Sequence, residues 1–166
     1  KRAFFQENSD LFSTFGFTRI RPFFSRRIGL AKNNVIPIYG GVRLSGKLNN
    51  KWRIGAMDMQ TKSDEVFRIK SQNYGVAAIQ RQIGEASNIS GVFVDRQAAD
   101  TSQDYNRLAG IDYNFATKAN FIRGKVFLHH TFSPSGGNQQ FAHASWIMHN
   151  GRKVYWEWNH EFVGKD

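Results

Sequence analysis

Residues Val35–Thr61, VIPIYGGVRLSGKLNNKWRIGAMDMQT, decide the fold class. Ile36, Ile38, Gly40, Val42, Leu44 and Gly46 alternate with Pro37, Tyr39, Gly41, Arg43, Ser45 and Lys47. A period of two puts one set on each face of a strand, so one face is apolar or small and the other turns polar after Tyr39. Leu48-Asn49-Asn50-Lys51 supplies turn residues, since Asn tolerates the backbone of a tight hairpin. The chain returns with Trp52, Ile54 and Ala56 on one parity. Asp58 then falls where an apolar residue is due, and Met57 and Met59 fall opposite, which predicts a bulge or a strand end near Met57.

The same pattern recurs downstream. Ala109, Ile111, Tyr113, Phe115 and Thr117 alternate with Gly110, Asp112, Asn114 and Ala116, and a short link, Thr117-Lys118-Ala119, follows. Ile122, Gly124, Val126, Leu128, His130 and Phe132 then alternate with Phe121, Arg123, Lys125, Phe127 and His129. Ala142, Ala144, Trp146 and Met148 form the apolar set of the next strand, and Val154, Trp156, Trp158 and Phe162 are expected to face the same way. Asn150-Gly151 between them is the strongest hairpin signal in the chain. Residues 73–83 and 88–97 read as two further strands, residues 22–30 as another candidate, and Asp95–Asp104 as a polar loop. No 3.6-residue period persists for three turns. The expected fold is all-β, an antiparallel up-and-down meander of about eight strands, in one unit spanning 1–166.

Several of these strands run for 10 to 14 residues, against roughly 5–6 in soluble domains. About 9–11 residues cross a bilayer when tilted. Apolar faces that mix Gly, Ala, Val, Leu and aromatics suit a lipid-facing wall, with Trp146, Trp156 and Trp158 in an interfacial girdle. Tight links (Asn49-Asn50, Asn150-Gly151) alternate with longer ones (97–105, 133–138), as in outer-membrane barrels. A segment of a transmembrane β-barrel is therefore expected. A soluble β-sandwich or barrel binding polyanions or glycans would show the same alternation and stands as the alternative.

Composition narrows the function classes. The chain has 166 residues, 40% of them hydrophobic, with 23 Lys+Arg against 13 Asp+Glu. Cys is absent, which excludes disulfides, cysteine zinc sites and a thiol nucleophile. Residues 1–70 hold 14 basic and five acidic residues, and 71–166 hold nine and eight, so the charge sits in the first part. Arg19, Arg21, Arg26 and Arg27 among Phe15, Phe17, Phe23 and Phe24 could meet a polyanion. No nucleic-acid-binding motif accompanies them, so nucleic acid is not the expected partner. Arg26 and Arg27 are placed at a membrane interface instead, against the phosphates of outer-membrane lipid or lipopolysaccharide.

Nothing in the chain predicts catalysis or a cofactor. His129 and His130 are adjacent, so they point to opposite faces of a strand and cannot chelate one ion. His143, His149 and His160 lack ligand spacing. Glu157 and Glu161 share a strand face roughly 13 Å apart by strand rise, too far for a glycosidase pair at about 5–9.5 Å. Arg43 and Lys47 share the polar face of one strand, and Arg123 and Lys125 that of another. In a barrel these four make a basic lumen wall, suited to anionic solutes or to an acidic plug, unless lumen carboxylates such as Asp112, Glu157 and Glu161 meet them.

The first hundred residues also resemble a family of Gram-negative outer-membrane proteins, domain of unknown function 5916. The likeness runs through Lys1-Arg2-Ala3-Phe4-Phe5-Gln6-Glu7, Phe12, and Phe24-Ser25-Arg26-Arg27-Ile28-Gly29. It continues through Ile36-Pro37-Ile38-Tyr39-Gly40-Gly41, Leu44-Ser45-Gly46-Lys47, Gln60-Thr61, Asn73-Tyr74 and Gln80-Arg81-Gln82-Ile83-Gly84. Gln6 and Asn8 stand where the family has Leu and Gly, and residues 105–166 match only as generic barrel strands. The resemblance implies the opening strands of a barrel within a longer chain, located in the bacterial outer membrane. It implies a role in envelope transport or in anchoring a carbohydrate-binding module at the surface. The remaining strands of the parent barrel or a larger envelope complex would be its partners. Hydrolase labels in the family rest on a module similar to family-9 carbohydrate-binding domains, and none of that module is in these residues.

Overall fold

A computed structural model describes residues 9–31, 34–134, 136–137 and 140–165. The first block of the family resemblance, Lys1–Glu7, lies outside them. The chain is all-β, with one sheet of eight antiparallel strands in meander order. The strands are β3 (Ile38–Lys47), β4 (Trp52–Thr61), β5 (Gln72–Ile83), β6 (Ser87–Ala98), β7 (Tyr105–Ala116), β8 (Ile122–Phe132), β9 (Phe141–Asn150) and β10 (Tyr155–Val163). A small hairpin of β1 (Leu30–Ala31) and β2 (Asn34–Val35) precedes them, after a one-turn helix α1 (Asp10–Ser13) and a 3-10 turn at Ser25–Arg27. The segment 22–30, read as a strand candidate, is therefore mostly turn. β3 and β10 are the two edges and do not pair with each other.

The links sort by end. Tight turns of three to five residues (48–51, 84–86, 117–121, 151–154) lie at one end of the sheet. Longer loops (62–71, 99–104, 133–140) lie at the other. Asn49 explains the first turn: its Oδ1 accepts the N–H groups of Lys51 and Trp52 at 2.9 and 3.0 Å. β6 runs through Asp95, Arg96 and Gln97, in keeping with the strand expected over 88–97, and the polar loop expected over Asp95–Asp104 is confined to 99–104. Cross-strand partners hold these residues in the strand: Arg107 donates to Asp95 and Gln97 at 3.0 and 3.2 Å, and Arg96 to Gln72 at 3.0 Å.

The sheet has a covered face and an open one. Residues 9–29 lie across the covered face, where Leu11, Phe12, Phe15 and Ile28 form a core with Met57, Met59, Val76, Ala78 and Val92. This packing corrects the expected break at Met57. β4 runs unbroken through Thr61, and the register irregularity lies between Ile38 and Gly40 instead. Met57 and Met59 are apolar because α1 and the chain after it cover them, while Asp58 is on the open face, accepting from Asn73 at 3.1 Å.

Gly55 is the floor under α1. A Cβ there would come within 2.6 Å of the Phe12 ring and 2.8 Å of Leu11. Asp10 of α1 meets Arg53 at 2.8 Å, and that hydrogen bond holds its carboxyl below the ordinary aspartate range. Its stabilising contribution is present at and above that range and is lost as pH falls below it, through the lowered folded-state value. The carboxylate is half-exposed, so the contribution is at most about 0.5 kcal/mol. Docking of α1 rests on Gly55 far more than on this pair. Gly55→Val is expected to lower stability by about 1–3 kcal/mol and to expose residues 10–16 to protease. Gly46→Val, whose Cβ meets nothing within 4 Å, should do neither in denaturant titration and limited proteolysis.

Candidate functional site

The side chains with chemical potential gather on the covered face. Strand pairing puts Arg43 beside Met57, Lys47 beside Arg53, Arg123 beside Met148 and Lys125 beside Trp146. All four basic residues expected on one face are thus on it. Their partners differ. The Arg43 guanidinium lies 4.9 Å over the Phe12 ring, and that of Arg123 lies 5.7 Å over Trp146. Lys47 is exposed near the tight turns. Lys125 is drawn into a buried cluster.

That cluster centres on Asp112, which is 1% exposed. Its carboxylate accepts from Lys125 Nζ at 2.9 Å and from the Gly16 N–H at 2.8 Å. His129 Nε2 lies 2.7 Å away and must carry its proton there, since an ionised carboxylate only accepts. Lys125 also donates to the Thr14 carbonyl. Gly16 is required by its backbone: φ is +69°, and a Cβ would sit 1.9 Å from the Ile20 carbonyl oxygen. A small turn follows, with Phe17 and Ile20 exchanging backbone hydrogen bonds at 3.0 and 3.1 Å. Phe17 packs edge-on against Phe127 at 5.1 Å, and Phe127 stacks on His129 at 4.5 Å. Two strands thus clasp the segment that crosses the sheet. The segment is basic, with Arg19, Arg21 and Arg27 against Asp10, so the acidic plug weighed from sequence is not what occupies this face.

Between residues 13–21 and β7–β10 lies a cleft of about 680 Å³. Arg19 and Arg21 form one side, and Trp146, Glu157, Asn159 and Glu161 the other. Glu157 is oriented by two donors, the Trp146 indole at 2.6 Å and the Tyr155 hydroxyl at 2.5 Å. Trp146 was expected beside Trp156 and Trp158, but the register pairs it with Asn159 and Lys125 on the covered face. The apolar set of β9 faces inward because it packs under the crossing segment and against Arg123, while Phe141 and Ile147 face out. Trp156 and Trp158 are on the open face, paired with His149 and Ile147. Arg27 is exposed on the 3-10 turn, and the Arg26 side chain lies outside the described residues.

His130 and His143 are on the open face among aromatic rings, whereas His129 is buried, so the two adjacent histidines do point apart. The sequence offers Asp112 as a carboxylate for the basic row, and Lys125 does meet it at 2.9 Å, but the Gly16 and His129 contacts that complete the clasp were not foreseen. Its one readable sign is a carboxylate at an alternating position opposite Ile111 and Tyr113, with Lys125 and His129 in phase on the next strand.

The chain was compared with family models, curated proteins and solved structures, and none of them matches. The chemistry of the site therefore rests on its own geometry.

Removing one member of a buried charged cluster leaves the others unpaired. Asp112→Ala is expected to cost about 3–5 kcal/mol and to release residues 9–21 to protease. Asp112→Ala with Lys125→Met, which leaves no buried charge at that position, should recover most of that loss in denaturant unfolding.

Proposed function

We propose that this chain is a segment of a bacterial outer-membrane β-barrel, with its open face toward lipid and its covered face lining a lumen. The open face carries the reading. Val42 and Leu44 are 71% and 65% exposed there, Leu128 52% and Trp158 56%, while the charged residues Asp112 and Lys125 are covered on the opposite face. A water-soluble sheet distributes them the other way, because burying apolar area is the dominant favourable term in folding. Strands of 9 to 12 residues match the span of a tilted transmembrane strand. On β8 the open-face row from Ile122 to Phe132, apolar except for His130, covers ten intervals of about 3.3 Å. At a barrel tilt of about 40° this is close to the apolar band of roughly 25 Å in such barrels.

Most open-face aromatics lie toward the two ends, Trp52, Tyr113, Phe115 and Trp156 toward the tight turns and Tyr105, Phe132 and Phe141 toward the long loops, with Phe93 and Trp158 between them. Two such girdles, and loops sorted by length between the two ends, are the pattern of outer-membrane barrels. The resemblance to the domain of unknown function 5916 family supports the same reading. The role that follows is envelope transport or surface anchoring, with the lumen partly filled by residues 9–29. The chain carries no enzymatic activity of its own in this reading. A soluble β-sandwich needs a second layer over the open face.

The test is biochemical. The protein should partition with membranes, require detergent for extraction, and migrate faster on gels before boiling than after. Recovery in the aqueous fraction without detergent, with no heat-dependent shift, would point to the sandwich.

A further inference from the structure

The cleft beneath the crossing segment has opposite charges on its two sides that do not meet. Arg19 and Arg21 line it from the segment and Glu157 and Glu161 from β10, while Lys125, also on the lining, has its charge met by Asp112 at 2.9 Å. Among the described residues, no ion pair joins either arginine to either glutamate. The acidic side is preorganised. Glu157 is held by Trp146 and Tyr155, so its carboxylate has a fixed direction before any ligand arrives. Aromatic rings beside a carboxylate suit an ammonium group, which gains from both the charge and the ring face. Trp146 already takes one cation, the Arg123 guanidinium. The basic side has guanidinium forks, which match the planar geometry of a carboxylate.

A simple anion would be repelled by Glu157 and Glu161, and a simple cation by Arg19 and Arg21. A ligand carrying both charges satisfies both sides at once. We propose that this cleft binds a short zwitterionic peptide, its ammonium end against Glu161 and Glu157 and its carboxylate end against Arg19 and Arg21. The volume of about 680 Å³ falls within the roughly 300–1,000 Å³ typical of small-ligand sites, room for a few residues. Asn159, Ser13 and Thr18 on the same lining provide neutral donors and acceptors for the peptide backbone. The site depends on β10 and residues 13–21, not on what meets the open face, so it can fail without the membrane reading failing.

The experiment is a calorimetric titration of the full chain, in the medium that keeps it folded, with folding checked by circular dichroism. The probes are triglycine, N-acetyltriglycine, triglycine amide, glycine and maltotriose. Triglycine is expected to bind about tenfold more tightly than either capped form, the equivalent of one charge-assisted contact. Glu161→Gln should erase the preference for triglycine over N-acetyltriglycine. Arg19→Gln with Arg21→Gln should erase the preference over triglycine amide. Equal binding of N-acetyltriglycine and triglycine by the parent chain would show an anion site, and equal binding of the amide a cation site. Glycine binding as tightly as triglycine would exclude a peptide as the ligand, and maltotriose binding in place of triglycine would show a saccharide site. Each of these, or no triglycine binding by a folded chain, overturns the proposal.

Discussion

A β-strand presents every second side chain to the same side, so each strand must satisfy two different surroundings at once. In this sheet the middle of each strand makes the same choice, while Asp58, Asp95 and Arg107 on the open face lie toward the long loops and Arg81 toward the tight turns. Val42, Ile54, Ile79, Phe93, Ile111 and Leu128 are carried to the open face through consecutive pairings. The face behind them receives Arg43, Arg53, Arg96, Asp112, Lys125 and Glu157. Shifting any one strand by one residue would exchange the two sets. The remaining features follow from this division. A charged face cannot close on itself as an oily core does, so its interior is filled by something with polar contacts of its own.

That filling is the chain from Ser9 to Gly29. It brings two kinds of contact. Leu11, Phe12 and Phe15 make an apolar patch over Gly55 and Met57. Gly16 offers a backbone N–H to a carboxylate that also receives a lysine and a histidine. Buried charge costs several kcal/mol of desolvation per ion unless its hydrogen bonds are complete, and at Asp112 three donors complete them. The clasp fixes the position of the segment more than it adds stability, and that position creates the cleft beside β10.

Much of the meander was legible in the sequence because alternation and turn chemistry are local. Asn49-Asn50 and Asn150-Gly151 mark turns, and the alternations at 36–47, 109–117 and 122–132 mark strands. The departures share one cause, which is that a strand's face chemistry depends on what covers it. Met57 and Met59 look like a broken pattern until α1 lies over them. Ala142, Ala144, Trp146 and Met148 look like a greasy outer stripe until the pairing with Arg123 and Lys125 turns them inward. Asp95 and Gln97 fit both a strand and a polar loop by sequence, and Arg107 reaching across from β7 holds them in the strand. Parity puts Arg43 with Lys47 and Arg123 with Lys125, and the strand register brings both pairs to one face, but the contact between Gly16 and Asp112 spans 96 residues. No local pattern encodes a contact of that range.

Tryptophan position in a bilayer tests the central claim most directly. Variants keeping only Trp158 or only Trp146, with the other tryptophans changed to Phe, would be reconstituted in vesicles whose lipids carry bromine on the acyl chains. Bromine quenches indole only at close range. Trp158 on the open face should lose most of its emission and Trp146 very little. Equal quenching of the two, or strong quenching of Trp146 with Trp158 unaffected, would contradict the assignment of faces.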